Sequence, residues 1–237
     1  MKKKNYFSFS IFAFGLIFTL NLFCQETREE TPLQNSAPEI IQLPTPRFDS
    51  DTSVEEALFK RRSVRSYKED PLTISDISQI LWAAQGKTRK YRYRTAPSAG
   101  ALYPLEIYIA ASTVDELKAG LYHYNPKDHT LKKINEGDKR SDVYNAALQQ
   151  DAIYNSSAMV IITAVVERTS VKYGSRAERY VHIEVGAVSQ NIYLQSVSLG
   201  LGTVIIGAFK DKALKKVLGL PNNEDPYAIM PLGKIQD

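Results

Sequence analysis

Residues 158–166 read Ala-Met-Val-Ile-Ile-Thr-Ala-Val-Val, a stretch without a charge and rich in β-branched side chains. A strand wet on one face alternates apolar with polar, and this one does not, so it is read as a central strand buried on both faces. The chain must therefore supply layers to either side of it. The longest candidate runs from about Ala177 to Leu199, apolar on most of its circumference and interrupted by His182, Glu184, Gln190, Asn191 and Gln195. Such a helix belongs at the centre of a domain or in a subunit interface. Ile77, Ile80, Leu81 and Ala84 fall at i, i+3, i+4 and i+7, which predicts a helix over 75–85 with Gly86 as its stop. Ser53-x-x-Glu56 is a capping box opening a short helix to about Lys60. Strands are expected at 105–111, at 120–131 as a pair around Asn125-Pro126, at 203–206 and at 227–232. Weak helix is expected near 142–150 and a short helix over 211–218, ended by Gly219. The expectation is an α+β fold with helices around a small central sheet.

The N-terminus has a different character. Lys2, Lys3 and Lys4 precede an apolar stretch from Tyr6 to Phe23, and residues 1–24 read as a signal peptide. Cys24 closes it in a lipobox-like setting, Leu20-Asn21-Leu22-Phe23-Cys24. The alternatives are lipidation, giving membrane attachment through Cys24, or an inert cysteine at the end of a plain signal. Either way the expectation is an exported domain, periplasmic or membrane-anchored. Much of the formal charge of +4 resides in this leader, so the folded part is close to neutral. Residues 25–51 shift to Glu, Thr, Gln, Asn, Ser and Pro, and read as a flexible linker whose later part, Ile40–Pro44, lies along the surface as an extended arm. The domain proper is expected over 52–237.

Several chemistries are excluded at once. One cysteine makes no internal disulfide, and no Cys and His cluster has zinc spacing, so no metal site is expected. There is no Gly-x-Ser-x-Gly and no His-Glu-x-x-His. The basic run Lys87–Arg94 interleaves cations with Tyr91 and Tyr93, and is read as a solvated loop rather than a nucleic-acid surface. Two segments carry ligand chemistry. Lys60-Arg61-Arg62-Ser63-Val64-Arg65-Ser66-Tyr67 offers guanidinium forks and hydroxyls suited to a phosphate monoester, or else cations that complement a helix C-terminus. The small-residue loop Pro97-Ser98-Ala99-Gly100-Ala101 lets backbone approach a flat ligand, as do the glycines of 200–207. A dinucleotide fingerprint is absent, because those glycines follow a helix with the wrong spacing. His123, His129 and His182 are read as structural or exposed.

Taken together, RRSVRSY (61–67), ILWAAQG (80–86), PSAGALYPLEIY (97–108), GLYHYNP (120–126), the 184–203 helix and MPLG (230–233) resemble the nitroreductase superfamily, in its SagB/ThcOx-type dehydrogenase branch. The resemblance covers about 53–234. It implies an FMN-binding, domain-entwined homodimer of α+β fold, with two flavin sites in the interface. It further implies that Arg61, Arg62, Ser63 and Arg65 hold the flavin phosphate and pyrimidine edge. Pro97, Ser98, Ala99 and Gly100 of the other subunit would lie against the ring, Ile206 and Gly207 would offer backbone near N5, and Lys234 would be the basic residue after the last strand. The implied reaction is hydride transfer through flavin N5, from NAD(P)H to nitro- or quinone-type acceptors. The alternatives are a peptide azoline dehydrogenase, in which Lys172 and Tyr173 look like the proton-removing pair, or an exported flavin-binding protein without turnover.

Overall fold

The computed structural model describes residues 39–88 and 93–236. The leader, Cys24, the first part of the linker and the centre of the basic run lie outside the described residues. In chain order the elements are β1 (Ile40–Gln42), α1 (Val54–Lys60), α2 (Ile74–Gln85), β2 (Leu105–Ala111), β3 (Gly120–Asn125), β4 (Thr130–Glu136), α3 (Arg140–Ala146), α4 (Asp151–Tyr154), β5 (Ala158–Ala164), α5 (Glu167–Tyr173), α6 (Ala177–Ser198), β6 (Leu201–Thr203), α7 (Asp211–Leu218) and β7 (Asp225–Lys234). The strands form one sheet in the order β1-β4-β3-β2-β5-β7-β6, every pair antiparallel. At seven strands it is larger than the small sheet expected from sequence.

The run at 158–164 is β5, between β2 and β7, with every residue buried. Successive side chains leave opposite faces of a strand, and the two cores follow that period. Ile107, Ile109, Val160 and Ile162 join Ile77, Ile80 and Leu81 of α2 and Val181, Val185 and Val188 of α6 on one side. Tyr108, Ala110, Met159 and Ile161 join Val143 of α3, Ile153 of α4, and Leu214 and Leu218 of α7 on the other. The continuous apolar run is thus the signature of a strand between two helical layers.

One expectation is corrected here. The arm at 40–44 does not merely lie on the surface: β1 is an edge strand paired with β4, and Leu43 is buried in the core. Beyond it Arg47 exchanges two backbone bonds with the side chain of Gln79 on α2, at 2.9 and 3.0 Å. His129 secures this start of the fold through Ser78 Oγ at 2.7 Å and Tyr124 Oη at 2.9 Å. Within the single chain α6 is buried along one face, and His182, Ile183, Gly186 and Gln190 on its other face are exposed, which leaves the subunit-interface alternative for that face. Local signals fared well elsewhere. Thr73 caps α2 in a full capping box with Asp76, Ser53 accepts from the Glu56 amide to start α1, and Gly219 ends α7 in the left-handed region at φ 64°. No helix among the described residues is long and apolar enough to cross a membrane.

Tyr67 wedges between the ends of β6 and β7. A methyl group added at Gly233 would lie 2.6 Å from its Cβ and Cγ, and its hydroxyl donates to Val64 O at 2.8 Å. Gly233→Ala is therefore expected to destabilise the fold by about 1–3 kcal/mol through overpacking, read as a lower urea midpoint at unchanged slope.

Candidate active site

The cation loop after α1 is fixed by the sheet and by α6. The Val64 amide donates to Thr203 O at 2.9 Å, and the Lys68 amide donates to Lys234 O at 2.9 Å. This stitches 64–68 to the ends of β6 and β7 and puts Lys234 beside the loop. Tyr193 of α6 is the other anchor. Its hydroxyl lies 3.1 Å from Ser63 Oγ and accepts from the Ile205 amide at 2.9 Å, while the Arg61 guanidinium sits 5.1 Å from its ring centroid. The two readings of the arginines divide between residues. Arg62 Nη1 donates to Phe59 O and Arg61 O, both at 2.8 Å, which is the helix-terminus role. Arg61 and Arg65 have no carboxylate partner among the described residues.

The Ile206 backbone cannot take the role the resemblance gives it. Its amide and carbonyl both bond to Ile229, each at 2.9 Å, and its side chain is buried. The exposed backbone here belongs to Gly207, where an added Cβ would meet nothing within 4 Å.

The Pro97–Tyr103 loop is held in an unusual conformation. Gly100, Ala101 and Tyr103 all have positive φ, of 64°, 53° and 48°, and the last two are not glycines. Ser98 Oγ accepts the Tyr103 amide at 2.9 Å and donates to Glu184 of α6. On α5, Arg168 donates to Tyr103 O at 3.2 Å and pairs with Glu106. One turn on, Lys172 and Tyr173 close over Gly100: a Cβ there would lie 3.3 Å from Nζ and 3.2 Å from the tyrosine hydroxyl. The lysine, the tyrosine and the small-residue loop therefore form one cluster within a single chain.

Behind the loop lies a network that sequence reading did not find. Glu184, 2% exposed, accepts from Gln85 Nε2 at 3.1 Å, and Gln85 in turn accepts from Arg94 at 3.0 Å. Burial raises the Glu184 carboxyl above the ordinary carboxylate range, against the opposing effect of its bonds to Ser98 and Gln85. Burial likewise lowers the Arg94 guanidinium. Glu106 behaves oppositely: burial would raise it, but the His123 bond at 2.7 Å and Arg168 hold it low. The one sequence signal for this network was an acid in the middle of a largely apolar helix. Of the other polar residues on that helix, Asn191 donates to Ala83 O at 3.1 Å, and Gln190 is exposed.

Both clusters hang on α6. Glu184 and Tyr193 are nine residues apart, about 13 Å along the axis and about 180° around it. They flank the exposed arc of Ile183, Gly186 and Gln190 from its two margins.

The fold is thus an α+β sheet between helical layers, with the Arg61 and Arg65 loop on one margin of an exposed helix face and a strained small-residue loop on the other. The chain matches the Nitroreductase family over residues 58–234. It belongs to that family and is an oxidoreductase. A Methanocaldococcus jannaschii protein that carries the name nitroreductase is 44% identical over 194 residues, 82% of this chain and 96% of that one. The microcin B17-processing protein McbC of Escherichia coli is 24% identical over 151 residues, covering 61% of this chain and 55% of McbC. Among solved structures, a nitroreductase-type chain from Ralstonia eutropha has TM-score 0.75 and 28% identity, covering 84% of this chain and 90% of that chain. Another, from Anabaena variabilis, has TM-score 0.73 and 27% identity over 84% of this chain, which spans only 42% of that longer one.

The raised Glu184 carboxyl gives a pH test. Above the ordinary carboxylate pKa the unfolded chain ionises while the folded one still holds the proton, so stability falls as pH rises through the window up to the folded value and stays lowered above it. Glu184→Gln removes that loss. Its unfolding free energy relative to the native chain is expected to rise with pH across the window, as measured by urea titrations from pH 4 to 8.

Proposed function

We propose that the chain is an FMN-dependent oxidoreductase that works as a homodimer, taking hydride from NAD(P)H and delivering it to nitro- or quinone-type acceptors. The observation that carries this reading is the placement of the two loops on opposite margins of the exposed α6 face. Neither loop alone offers both a phosphate cradle and a ring platform. Two chains joined through Ile183, Gly186 and Gln190, with the exposed Val54, Leu58 and Phe59 of α1 beside them, would bring the cation loop of one against the Pro97–Gly100 loop of its partner. Such apolar exposure on adjacent helices favours a covered face.

The donor set fits a phosphate dianion: the forks of Arg61 and Arg65, the Ser63 hydroxyl and the Lys234 ammonium, with Tyr193 orienting Arg61 through its ring and Ser63 through its hydroxyl. Bound there, FMN would supply two-electron hydride exchange. The protein's own part is positional. Gly207 gives backbone without a side chain in the way, and Ser98, locked by Glu184, holds its loop in the conformation that sets Gly100 beside Lys172 and Tyr173.

A second reading has its own support. Lys172 and Tyr173 close over Gly100, and McbC, a microcin-processing protein, is a relative. In a SagB-type azoline dehydrogenase, Lys172 Nζ would take the proton that the heterocycle loses as it becomes aromatic, with the Tyr173 hydroxyl beside it. The leader at 1–24 supports placement of either enzyme outside the cytoplasm, anchored through Cys24 where that residue is lipidated.

The test is the visible spectrum of the purified full-length chain, followed by anaerobic NADH or NADPH. A yellow dimer that releases FMN on denaturation and bleaches with nicotinamide is expected. A chain that stays colourless with added FMN would falsify the reading, and a flavoprotein that never bleaches with either donor would shift it to the peptide dehydrogenase. Arg61→Ala with Arg65→Ala is expected to weaken FMN binding by about two orders of magnitude at unchanged fold, by fluorescence titration. For peptide oxidation, Lys172→Met is expected to lower kcat by about 10²–10⁴ with flavin content intact.

A further inference from the structure

On the far side of the Pro97–Tyr103 loop a cleft of about 510 Å³ opens between that loop and the β3–β4 turn. Lys87, Arg94, Lys127 and Lys132 line it, with the Tyr103 ring and one acid, Glu106. We propose that this cleft is a binding site for a phosphate-bearing small molecule, separate from the flavin cradle.

The charges of the cleft are left uncompensated, in contrast to their neighbours. Lys133, the residue after Lys132 on β4, points the other way and is bonded to Glu39 at 3.0 Å and Glu136 at 2.6 Å. Lys132 has no carboxylate partner among the described residues, and neither do Lys87, Arg94 and Lys127. The single acid, Glu106, is bonded to His123 and Arg168 and reaches Arg94 only at longer range, so one carboxylate stands against four cations. Arg94 stands out, since a half-buried guanidinium without a counter-ion is costly. Its charge is eased by Gln85 Oε1, by the Tyr103 ring, 4.2 Å from Cζ to the centroid, and at longer range by Glu106 and Glu184, none of them in a direct ion pair with it. The remaining face of its fork is available to an anion.

Sequence and topology bring the four cations together. Lys87 and Arg94, at the two ends of the basic run, bridge to each other, and both side chains line the cleft. Lys127 stands in the β3–β4 turn, where the Asn125 side chain accepts its amide at 2.9 Å, and Lys132 pairs with His123 in register. Four cations around one small volume exceed what a single carboxylate needs and match a multiply charged group such as a phosphate or diphosphate. The volume is that of a small-molecule pocket, too small for a folded partner. A phosphate could come from the dinucleotide donor or from a free phosphorylated compound, and the experiment separates the two.

Inorganic pyrophosphate is titrated calorimetrically into the FMN-saturated full-length chain at low salt, in a phosphate-free buffer. Saturable binding of one equivalent per chain is expected. Lys127→Glu with Lys132→Glu, both on the surface, is expected to weaken it at least about tenfold without loss of the folded circular dichroism signal. Arg61→Ala with Arg65→Ala is expected to leave it within about twofold, so a failed flavin site and a failed cleft give different results. Absence of saturable binding, equal affinity in the Lys127 and Lys132 variant, or loss on changing Arg61 and Arg65 instead, each overturns the proposal. Given binding, displacement by NADPH identifies the donor as the source and lack of displacement a free phosphorylated compound; both uphold the cleft.

Discussion

The arrangement depends on one helix that the sheet can cover along only one side. Val181, Val185, Val188 and Ile192 of α6 pack on the sheet, and α2 lies alongside. That fixes the rotation of α6 and so the direction of every other residue on it. Tyr193 then emerges at one margin and Glu184 at the other, and each holds a loop that local propensity alone would leave free. The cation loop is oriented because Ser63 and Arg61 meet Tyr193, and the small-residue loop because Ser98 meets Glu184. Burial of a carboxyl is costly, and Glu184 is kept there because Gln85, Ser98 and the nearby Arg94 each offset part of that cost. A mobile loop becomes a preorganised one through a helix whose stability comes from elsewhere.

Local charge pairing holds part of the surface together. Glu106 with His123 and Arg168, Asp138 with Arg140, Lys215 with Asp225, and Lys133 with its two glutamates are all compensated locally. Among the described residues, cations without a carboxylate partner stand in the loop at 61–65 and around the cleft, and also elsewhere, as at Arg176, Arg179, Lys212 and Lys216, so what marks the two sites is the convergence of several such cations with other ligand-binding features rather than the lack of a partner.

Much of this was legible from local pattern. The run at 158–164, the i, i+3, i+4, i+7 ladder of α2 and the capping residues report on neighbours within one turn or one strand, and those neighbours are in the sequence window itself. The misreadings share a different cause. β1 is only three residues long, flanked by prolines, and it is a strand because β4 is there to pair with it. Ile206 reads as open backbone beside a glycine until Ile229 takes both its polar groups. Tyr193 and Glu184 were invisible as anchors because Ser63 and Gln85 lie 130 and 99 residues away from them. The resemblance reached the loops themselves, since their sequences are distinctive, but not the side chains that hold them.

The Pro97–Tyr103 loop is therefore a shared wall. Its front, at Gly100, faces Lys172 and Tyr173; its back, at Ala101 and Tyr103, lines the cationic cleft. Two residues that are not glycines are held at positive φ between these faces, a conformation costing about 1–3 kcal/mol each that persists only where the surroundings over-determine it. The constraints come from both sides: Ser98 and Glu184 from the helix, Arg168 from α5, and the Arg94 guanidinium against the Tyr103 ring from the cleft. Arg94 also donates to Gln85, which donates to Glu184, which accepts from Ser98. An anion that drew on Arg94 would therefore meet the same chain of hydrogen bonds that holds the loop's front face.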